Sequence, residues 1–151
     1  PQQPAQVFQL IASACQTLGI HCGPLKTQAT HWICETFDLP QSRKLRKSIL
    51  GLPPIPLPAY DRFISEEESA ANLSHRGGAT AMPSEARALF EAALSEHGSA
   101  APSLWLRYAS WQLSLGSYSL ASAIHERAIK TLRPDHHASF IEAYQANVRG
   151  I

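Results

Sequence analysis

The sequence predicts an all-α protein, a right-handed α-solenoid built from antiparallel helix hairpins. Three observations lead to this prediction. Apolar residues recur at the three- and four-residue spacing of amphipathic helices along most of the chain. No segment of useful length alternates apolar and polar residues as a half-buried strand would. A nine-residue pattern also recurs, which is typical of repeat architectures, and the 151 residues suit a single domain.

The first half of the chain contains four predicted helices. We place them at residues 7–18, 25–37, 41–50 and 60–69. Gly19 ends the first helix, and a Leu-Pro step separates the second from the third. Residues 51–58 are too rich in proline for a helix and are expected to form an extended connector. The chain begins without a methionine or a signal sequence, so we expect it to be the C-terminal fragment of a longer solenoid.

The second half begins with a predicted flexible loop at about residues 73–82, which is rich in small and polar residues. Four more helices follow. We place them at residues 83–97, 102–115, 120–132 and 136–148. Asp135 is the expected N-cap of the last helix. The short connections between these helices favour antiparallel hairpins.

The repeat is the most informative pattern in the sequence. Residues 42–50, 86–94 and 121–129 each have a small residue first, an aliphatic residue fourth, a small residue eighth and an aliphatic residue last. They begin 44 and 35 residues apart, within the range of helical-hairpin repeats. Large aromatic residues on one helix would pack on small residues of the next. The predicted repeat core consists of Trp32, Tyr60, Phe63, Ala86, Phe90, Trp105, Tyr108, Trp111, Ala121, Ile124 and Ala128. A compact helical domain without repeats is the alternative.

The last two hairpins resemble a known repeat family. Leu104-Trp105-x-x-Tyr108-x-x-Trp111, followed by Ala121-x-x-Ile124-His-Glu-Arg-Ala-Ile, is similar to the half-a-TPR (HAT) repeat of RNA-processing proteins. Tyr60-x-x-Phe63-x-x-Glu66 and residues 86–94 resemble the same motif.

Two residues depart from the HAT pattern. Gln112 and Ser122 stand where the family usually has Glu and Arg, whereas Arg87 keeps the family residue in the preceding repeat. An interhelical ion pair at the Gln112 and Ser122 positions is therefore not expected.

The resemblance implies a function without catalysis. Over about its last 65 residues, the chain is similar to a HAT subunit of the UtpB complex, which belongs to the small-subunit processome. This resemblance implies a nucleolar scaffold in pre-18S ribosomal RNA processing. Its partners would be WD-repeat (β-propeller) subunits of UtpB, with pre-ribosomal RNA contacted only indirectly. A HAT scaffold of a splicing or 3′-end cleavage complex, and a protein that binds RNA directly, are the alternatives. A homodimer is a third possibility that we do not favour.

Two surfaces are candidates for partner binding. Arg43, Lys44, Arg46 and Lys47 form a dense basic cluster that could contact RNA phosphates or an acidic peptide, although a solvated helix face is the more common reason for such a cluster. The second candidate is the connector strip. Its apolar members are Leu52, Ile55 and Leu57. The acidic run 66–68 is expected to end a helix and to keep the following loop soluble.

Overall charge argues against direct RNA binding. Thirteen basic and twelve acidic residues give a formal net charge of +1, and neither half of the chain has an excess of more than one charge. Phosphate binding normally needs a basic stripe. Assembly with other proteins is therefore the favoured function.

The sequence contains no recognisable catalytic or metal-binding constellation. Cys15, His21, Cys22, His31 and Cys34 are close in sequence, but no CxxC or HxxxH spacing occurs among them. The odd number of cysteines favours a reducing intracellular compartment, and free cysteines commonly pack as small apolar residues. We expect no enzymatic activity, no catalytic residue, no metal and no cofactor.

Overall fold

In a computed structural model, the residues that the structure describes are 4–74 and 81–150, and they fold into α-helices without a strand in either range. This confirms the prediction of an all-α protein. The central part of the predicted flexible loop, residues 75–80, lies outside the described residues.

The described chain contains eight α-helices, which we number in chain order. They are α1 (Pro4–Leu18), α2 (Gly23–Thr36), α3 (Leu39–Leu50), α4 (Leu57–Ser74), α5 (Ser84–His97), α6 (Pro102–Ser114), α7 (Tyr118–Thr131) and α8 (His137–Arg149). Short 3₁₀ helices at Gly19–Cys22 and Pro134–His136 precede α2 and α8. The helices predicted from periodicity are all present, and most of their ends lie within a few residues of the predicted positions.

Two prolines that we predicted to lie outside helices are part of a first helical turn, Pro40 in α3 and Pro58 in α4. Leu39 and Pro40 form the first turn of α3, because Asp38 caps it: its Oδ1 atom accepts a hydrogen bond from the Gln41 N–H at 3.0 Å. Proline is tolerated in a first helical turn, where its missing N–H has no intrahelical partner. For the same reason Pro58 fits in the first turn of α4. The connector is therefore shorter than predicted and covers residues 51–56.

The predicted N-cap of α8 is wrong. Asp135 lies inside the 3₁₀ helix, and α8 begins after His136, which makes no side-chain capping hydrogen bond. The His137 ring instead bonds the Leu132 carbonyl oxygen at 2.9 Å and ties the start of α8 to the end of α7.

Backbone contacts group the chain into two compact units, Pro1–Leu73 and Ser74–Ile151. Unit 1 contains α1 to α4 and unit 2 contains α5 to α8. The single domain and the right-handed solenoid stay predictions, and so does the hairpin expected from α4 and α5, because those helices belong to different units.

Unit 1 is organised around a hairpin of α2 and α3, which pack on each other and are separated by two residues. Lys26 near the start of α2 bonds the Pro54 carbonyl oxygen beyond the end of α3, as an antiparallel pair requires. The core of the unit is mainly aliphatic, with the Tyr60 and Phe63 rings among its buried residues. Its fully buried members include Ile33, Ile49, Ile55, Phe63 and Ile64.

Unit 2 is organised around a hairpin of α6 and α7, the most extensively packed pair of helices. Gly116, with a positive φ of 71°, allows the sharp turn between them. At the open end of the hairpin the Arg133 N–H donates to the Ser99 carbonyl oxygen at 3.0 Å, so the two helices are antiparallel. Ala121 and Ala128 have no exposed surface, and these small side chains let α7 lie close against its neighbours.

Helix α8 completes unit 2 by packing on α6. Asn147 donates to the Ser110 hydroxyl at 2.7 Å, and Phe140 is buried. The His125 ring of α7 lies 4.4 Å from the Tyr144 ring and 5.5 Å from the Phe140 ring, between ring centroids. These contacts give His125 a packing role between α7 and α8.

Candidate functional site

The predicted basic cluster of unit 1 separates into two kinds of residue. Arg46 is only 2% exposed and donates to Oε1 of Glu67 at 2.8 Å, while Arg43 makes two hydrogen bonds to the same carboxylate at 2.9 and 2.7 Å. Lys44 and Lys47 are exposed. Arg46 and Arg43 are therefore both occupied by Glu67, and Lys44 and Lys47 are the exposed members of the cluster.

The prediction for the acidic run 66–68 is wrong, as the position of Glu67 shows. It lies in the interior of α4 with no exposed surface, so residues 66–68 do not end a helix. Burial alone would raise the pKa of Glu67, but the hydrogen bonds and charges of Arg43 and Arg46 outweigh it and hold the pKa below its usual value. One buried carboxylate thus joins α4 to two arginines of α3.

Cys34 lies beside this network. Burial, reinforced by the charge of Glu66, raises the pKa of the Cys34 thiol to about 12. Glu66 itself accepts a hydrogen bond from the Ser42 hydroxyl at 2.6 Å. This environment favours the protonated thiol, which is neither a nucleophile nor a metal ligand.

We expect Cys34 to react slowly with thiol reagents. A rise of its pKa from 9.0 to about 12 lowers the thiolate fraction at pH 8 by roughly a thousandfold. Iodoacetamide labelling of the native protein without reductant, followed by mass spectrometry, measures the rate. The unfolded protein in guanidinium is the control and should react at the rate of an ordinary thiol. Equal rates in the two states would contradict the effect of burial.

The other two cysteines are joined in a disulfide between Cys15 and Cys22, whose Cα atoms are 5.2 Å apart. We expected free cysteines in a reducing compartment, and for these two the structure differs. Within residues 4–74 and 81–150, no group of three His, Cys, Asp or Glu side chains is arranged to hold a metal ion.

The connector strip is only partly accessible. Ile55 has no exposed surface and belongs to the core, so it cannot contact a partner. Leu52 and Leu57 are half-buried. Leu52 also lines an open groove of about 290 Å³ between α1, the 3₁₀ turn after it and the connector, with Lys26 at its inner wall.

Unit 2 contains an ion pair that the sequence analysis did not find. Arg127 of α7 makes two hydrogen bonds to the Glu91 carboxylate of α5, at 2.9 and 2.7 Å. The Tyr108 hydroxyl also donates to Glu91, at 3.2 Å, and the Arg127 guanidinium lies 5.5 Å from the centre of the Trp105 ring. The pair lines a second groove, of about 310 Å³, on the surface of this unit. No local pattern could have identified it, because 36 residues separate its members.

The Glu91–Arg127 pair should contribute little stability, and only above acidic pH. Hydrogen bonds from Arg127 lower the pKa of Glu91, so the contribution is present above the pKa of an unfolded glutamate and is lost as pH falls through the lowered folded pKa. Both side chains are about half exposed, so we expect Glu91→Gln to cost about 0.2–1 kcal/mol at pH 7, and less in high salt. Urea unfolding of the wild type and variant at pH 7, 4 and 3 measures it.

The exposed Glu126→Gln on α7 is the matched control for Glu91→Gln and should change the free energy of unfolding by less than about 0.5 kcal/mol. A cost of Glu91→Gln that persists unchanged at pH 3 or in 1 M salt would show that the pair does not act through its charges.

The predicted repeat-core residues are buried with one exception. Trp32 is half-buried and lies 5.2 Å from the Phe37 ring and 6.3 Å from the Phe8 ring, between centroids. The others are at most 8% exposed. They are Tyr60, Phe63, Ala86, Phe90, Trp105, Tyr108, Trp111, Ala121, Ile124 and Ala128.

The structure also describes Gln112 and Ser122, the two residues that depart from the HAT pattern. Gln112 is 2% exposed and its amide nitrogen lies 3.6 Å from the Met82 sulfur, within unit 2. Ser122 is exposed. The two residues thus have different environments, and the Glu91–Arg127 ion pair joins other positions of this unit.

Comparisons with known proteins give no relative: no family model matches the chain, and no curated protein matches it. Among the described residues, no helix is both long enough and apolar enough to cross a membrane. The functional interpretation therefore depends on the contacts within the chain and on the resemblance of its hairpins.

Proposed function

We propose that the protein is a non-catalytic HAT-type scaffold that holds protein partners during assembly of the small-subunit processome. The observation that carries the proposal is the α6–α7 hairpin. Its Trp105, Tyr108 and Trp111 side chains are buried on α6, and α7 brings Ala121 and Ala128 to the same core. The same residues carry the resemblance to the HAT motif. An α-solenoid that continues this hairpin arrangement is part of the proposal.

The proposed partners are β-propeller subunits of the UtpB complex, in the nucleolus. The resemblance that supports this proposal is that of the hairpins to the C-terminal end of U3 small nucleolar RNA-associated protein 6, a HAT subunit of that complex. Affinity purification of the tagged full-length protein from nuclear extract tests the proposal, and we expect WD-repeat subunits of UtpB among the retained proteins. Retention of splicing or 3′-end cleavage factors instead would overturn it in favour of another RNA-processing scaffold.

The charges on unit 1 favour protein partners over RNA. Glu67 binds both Arg43 and Arg46, so the basic cluster presents mainly Lys44 and Lys47 to solvent. Two exposed lysines fall short of the basic stripe that phosphate binding needs. We expect labelled single-stranded RNA to show no salt-dependent binding to the purified chain in fluorescence anisotropy, and tight salt-dependent binding would contradict the scaffold proposal.

The two exposed lysines can be tested as a partner contact. The double charge reversal Lys44→Glu and Lys47→Glu should weaken retention of the partner, whereas Lys130→Glu, an exposed reversal on α7, serves as the control. Unchanged retention by the double variant would remove this surface from the proposal.

The cysteines allow a separate test of the location. Disulfides are rare in the nucleus because cellular thiols keep cysteines reduced. A nucleolar protein should therefore have Cys15 and Cys22 as thiols in the cell, in contrast to the disulfide of this structure. Thiol trapping during lysis, followed by mass spectrometry, should find both alkylated in protein from nuclei. A disulfide in most of the molecules would contradict the proposed location.

A further inference from the structure

The Lys26 side chain is buried near the start of α2. Its side chain is 2% exposed, and its Nζ atom donates to the Pro54 carbonyl oxygen at 2.8 Å. Across the described ranges, no carboxylate forms an ion pair with it. An ammonium group has three donors, and a buried charge is costly unless it is paired and hydrogen-bonded. The single neutral acceptor leaves most of the hydrogen-bonding capacity of this ammonium group unused.

The sequence before and around Lys26 contains no acidic residue. It is the first charged residue in the sequence, since residues 1–25 contain no Asp, Glu, Lys or Arg, and the first turn of α2 contains no acidic residue. The groove that it lines has largely apolar walls, contributed by Ala12, Ile20, Leu52 and Pro53. Ile20 is 77% exposed, which leaves a large apolar side chain unburied beside the groove.

We propose that this groove binds a partner peptide in which a carboxylate side chain is flanked by apolar residues. The carboxylate would accept hydrogen bonds from the unused donors of Lys26, and the apolar neighbours would lie on Leu52 and Ile20. Charge-assisted hydrogen bonds of this kind are stronger than neutral ones, especially in an apolar groove. A volume of about 290 Å³ is at the lower end for ligand sites and suits a few side chains of a short segment.

The proposal concerns unit 1 alone and is independent of the complex that the protein joins. The experiment uses the complete chain and a fluorescein-labelled seven-residue peptide with a central Leu-Asp-Leu sequence. We expect saturable binding in fluorescence anisotropy. Two control peptides, with Leu-Asn-Leu and Ser-Asp-Ser at the centre, should each bind at least about tenfold more weakly, because one lacks the charge and the other the apolar contact.

The variant Lys26→Met removes the charge and keeps a long apolar side chain. We expect it to fold, since replacing a buried charge with an apolar residue of similar size is often neutral or stabilising, and to lose peptide binding by at least about tenfold. Lys44→Met, on an exposed position of α3, is the matched control and should bind like the wild type.

Three results would overturn the proposal. They are the absence of peptide binding at millimolar concentration, equal binding of the Leu-Asp-Leu and Leu-Asn-Leu peptides, and unchanged binding to Lys26→Met. Amide chemical shifts of ¹⁵N-labelled protein provide a second readout. Binding at the groove should shift the signals of Gln16, Ile20 and Leu52, and shifts confined to other residues would place the peptide elsewhere and overturn the site. The scaffold proposal is tested by the partners retained from extract, so the two can fail separately.

Discussion

Replacement of Glu67 by alanine is expected to lower the free energy of unfolding of unit 1 by about 3–5 kcal/mol. The carboxylate is fully buried and is the ion-pair partner of Arg46, which is itself 2% exposed. Its loss would remove the carboxylate charge that faces the buried Arg46 guanidinium, which costs more than the pair contributes. Arg43, with a third of its side chain exposed, can turn to water instead.

The matched variants separate the charge from the packing. The double change Arg46→Met and Glu67→Leu removes both charges and keeps apolar volume, and we expect it to recover most of the lost stability. Lys44→Ala, at an exposed position on the same helix as Arg46, should change stability by less than about 0.5 kcal/mol. Urea unfolding monitored by hydrogen exchange of the α3 and α4 amides measures unit 1 directly. A loss of less than about 1 kcal/mol in Glu67→Ala would show that Arg46 finds another partner.

The same pair predicts how unit 1 responds to acid. The pKa of Glu67 is lowered by its arginines despite its burial, so its contribution to stability is complete above the pKa of an unfolded glutamate. As pH falls through the lowered folded pKa, the carboxylate is protonated and this contribution is lost. The stability of the Arg46→Met and Glu67→Leu double variant should therefore depend less on pH between 5 and 2 than that of the wild type.

Helix positions in this protein could be predicted because they depend on local information. Apolar spacing defined the helices, and Gly19 and Gly116 ended helical segments where positive φ angles allow the chain to turn. The charged residues of unit 1 could not be assigned in this way. Whether Arg43 and Arg46 contact a buried carboxylate or solvent depends on which face of α3 packs on α4. Their partner Glu67 is 24 residues from Arg43 and 21 residues from Arg46. Consecutive basic residues look alike in sequence, whether they face a buried carboxylate or solvent.

The residues of the candidate sites likewise divide into those that local sequence patterns could predict and those that they could not. The aromatic and alanine positions of α6 and α7 could be assigned to a core because their spacing places them on one helix face. Lys26 gave no such signal, since a single lysine in a helix is usually exposed. Its burial comes from the connector, whose Pro54 carbonyl oxygen accepts its hydrogen bond, and that contact joins residues 28 positions apart. Long-range contacts of this kind depend on the assembled fold.

Replacement of Phe90 by alanine should have the largest effect in unit 2, a loss of about 3–5 kcal/mol in the free energy of unfolding. The Phe90 ring is fully buried on α5, stacks on Tyr108 at 4.6 Å and meets Trp111 edge-on at 6.0 Å, between ring centroids. Alanine would leave a cavity between two large rings that cannot close it, because α7 holds α6 in place through an extensive interface.

Two variants control for the chemistry of this substitution. Phe90→Leu keeps most of the apolar volume and loses the ring stacking, so we expect a smaller cost, of about 1–2 kcal/mol. Tyr118→Ala removes an aromatic ring that is 59% exposed and should cost less than about 0.5 kcal/mol. Urea unfolding followed by tryptophan fluorescence reports on Trp105 and Trp111 in this core. If Phe90→Ala cost no more than Tyr118→Ala, the aromatic cluster would not be what holds α5 to α6, and the hairpin interpretation of the repeat would lose its physical basis.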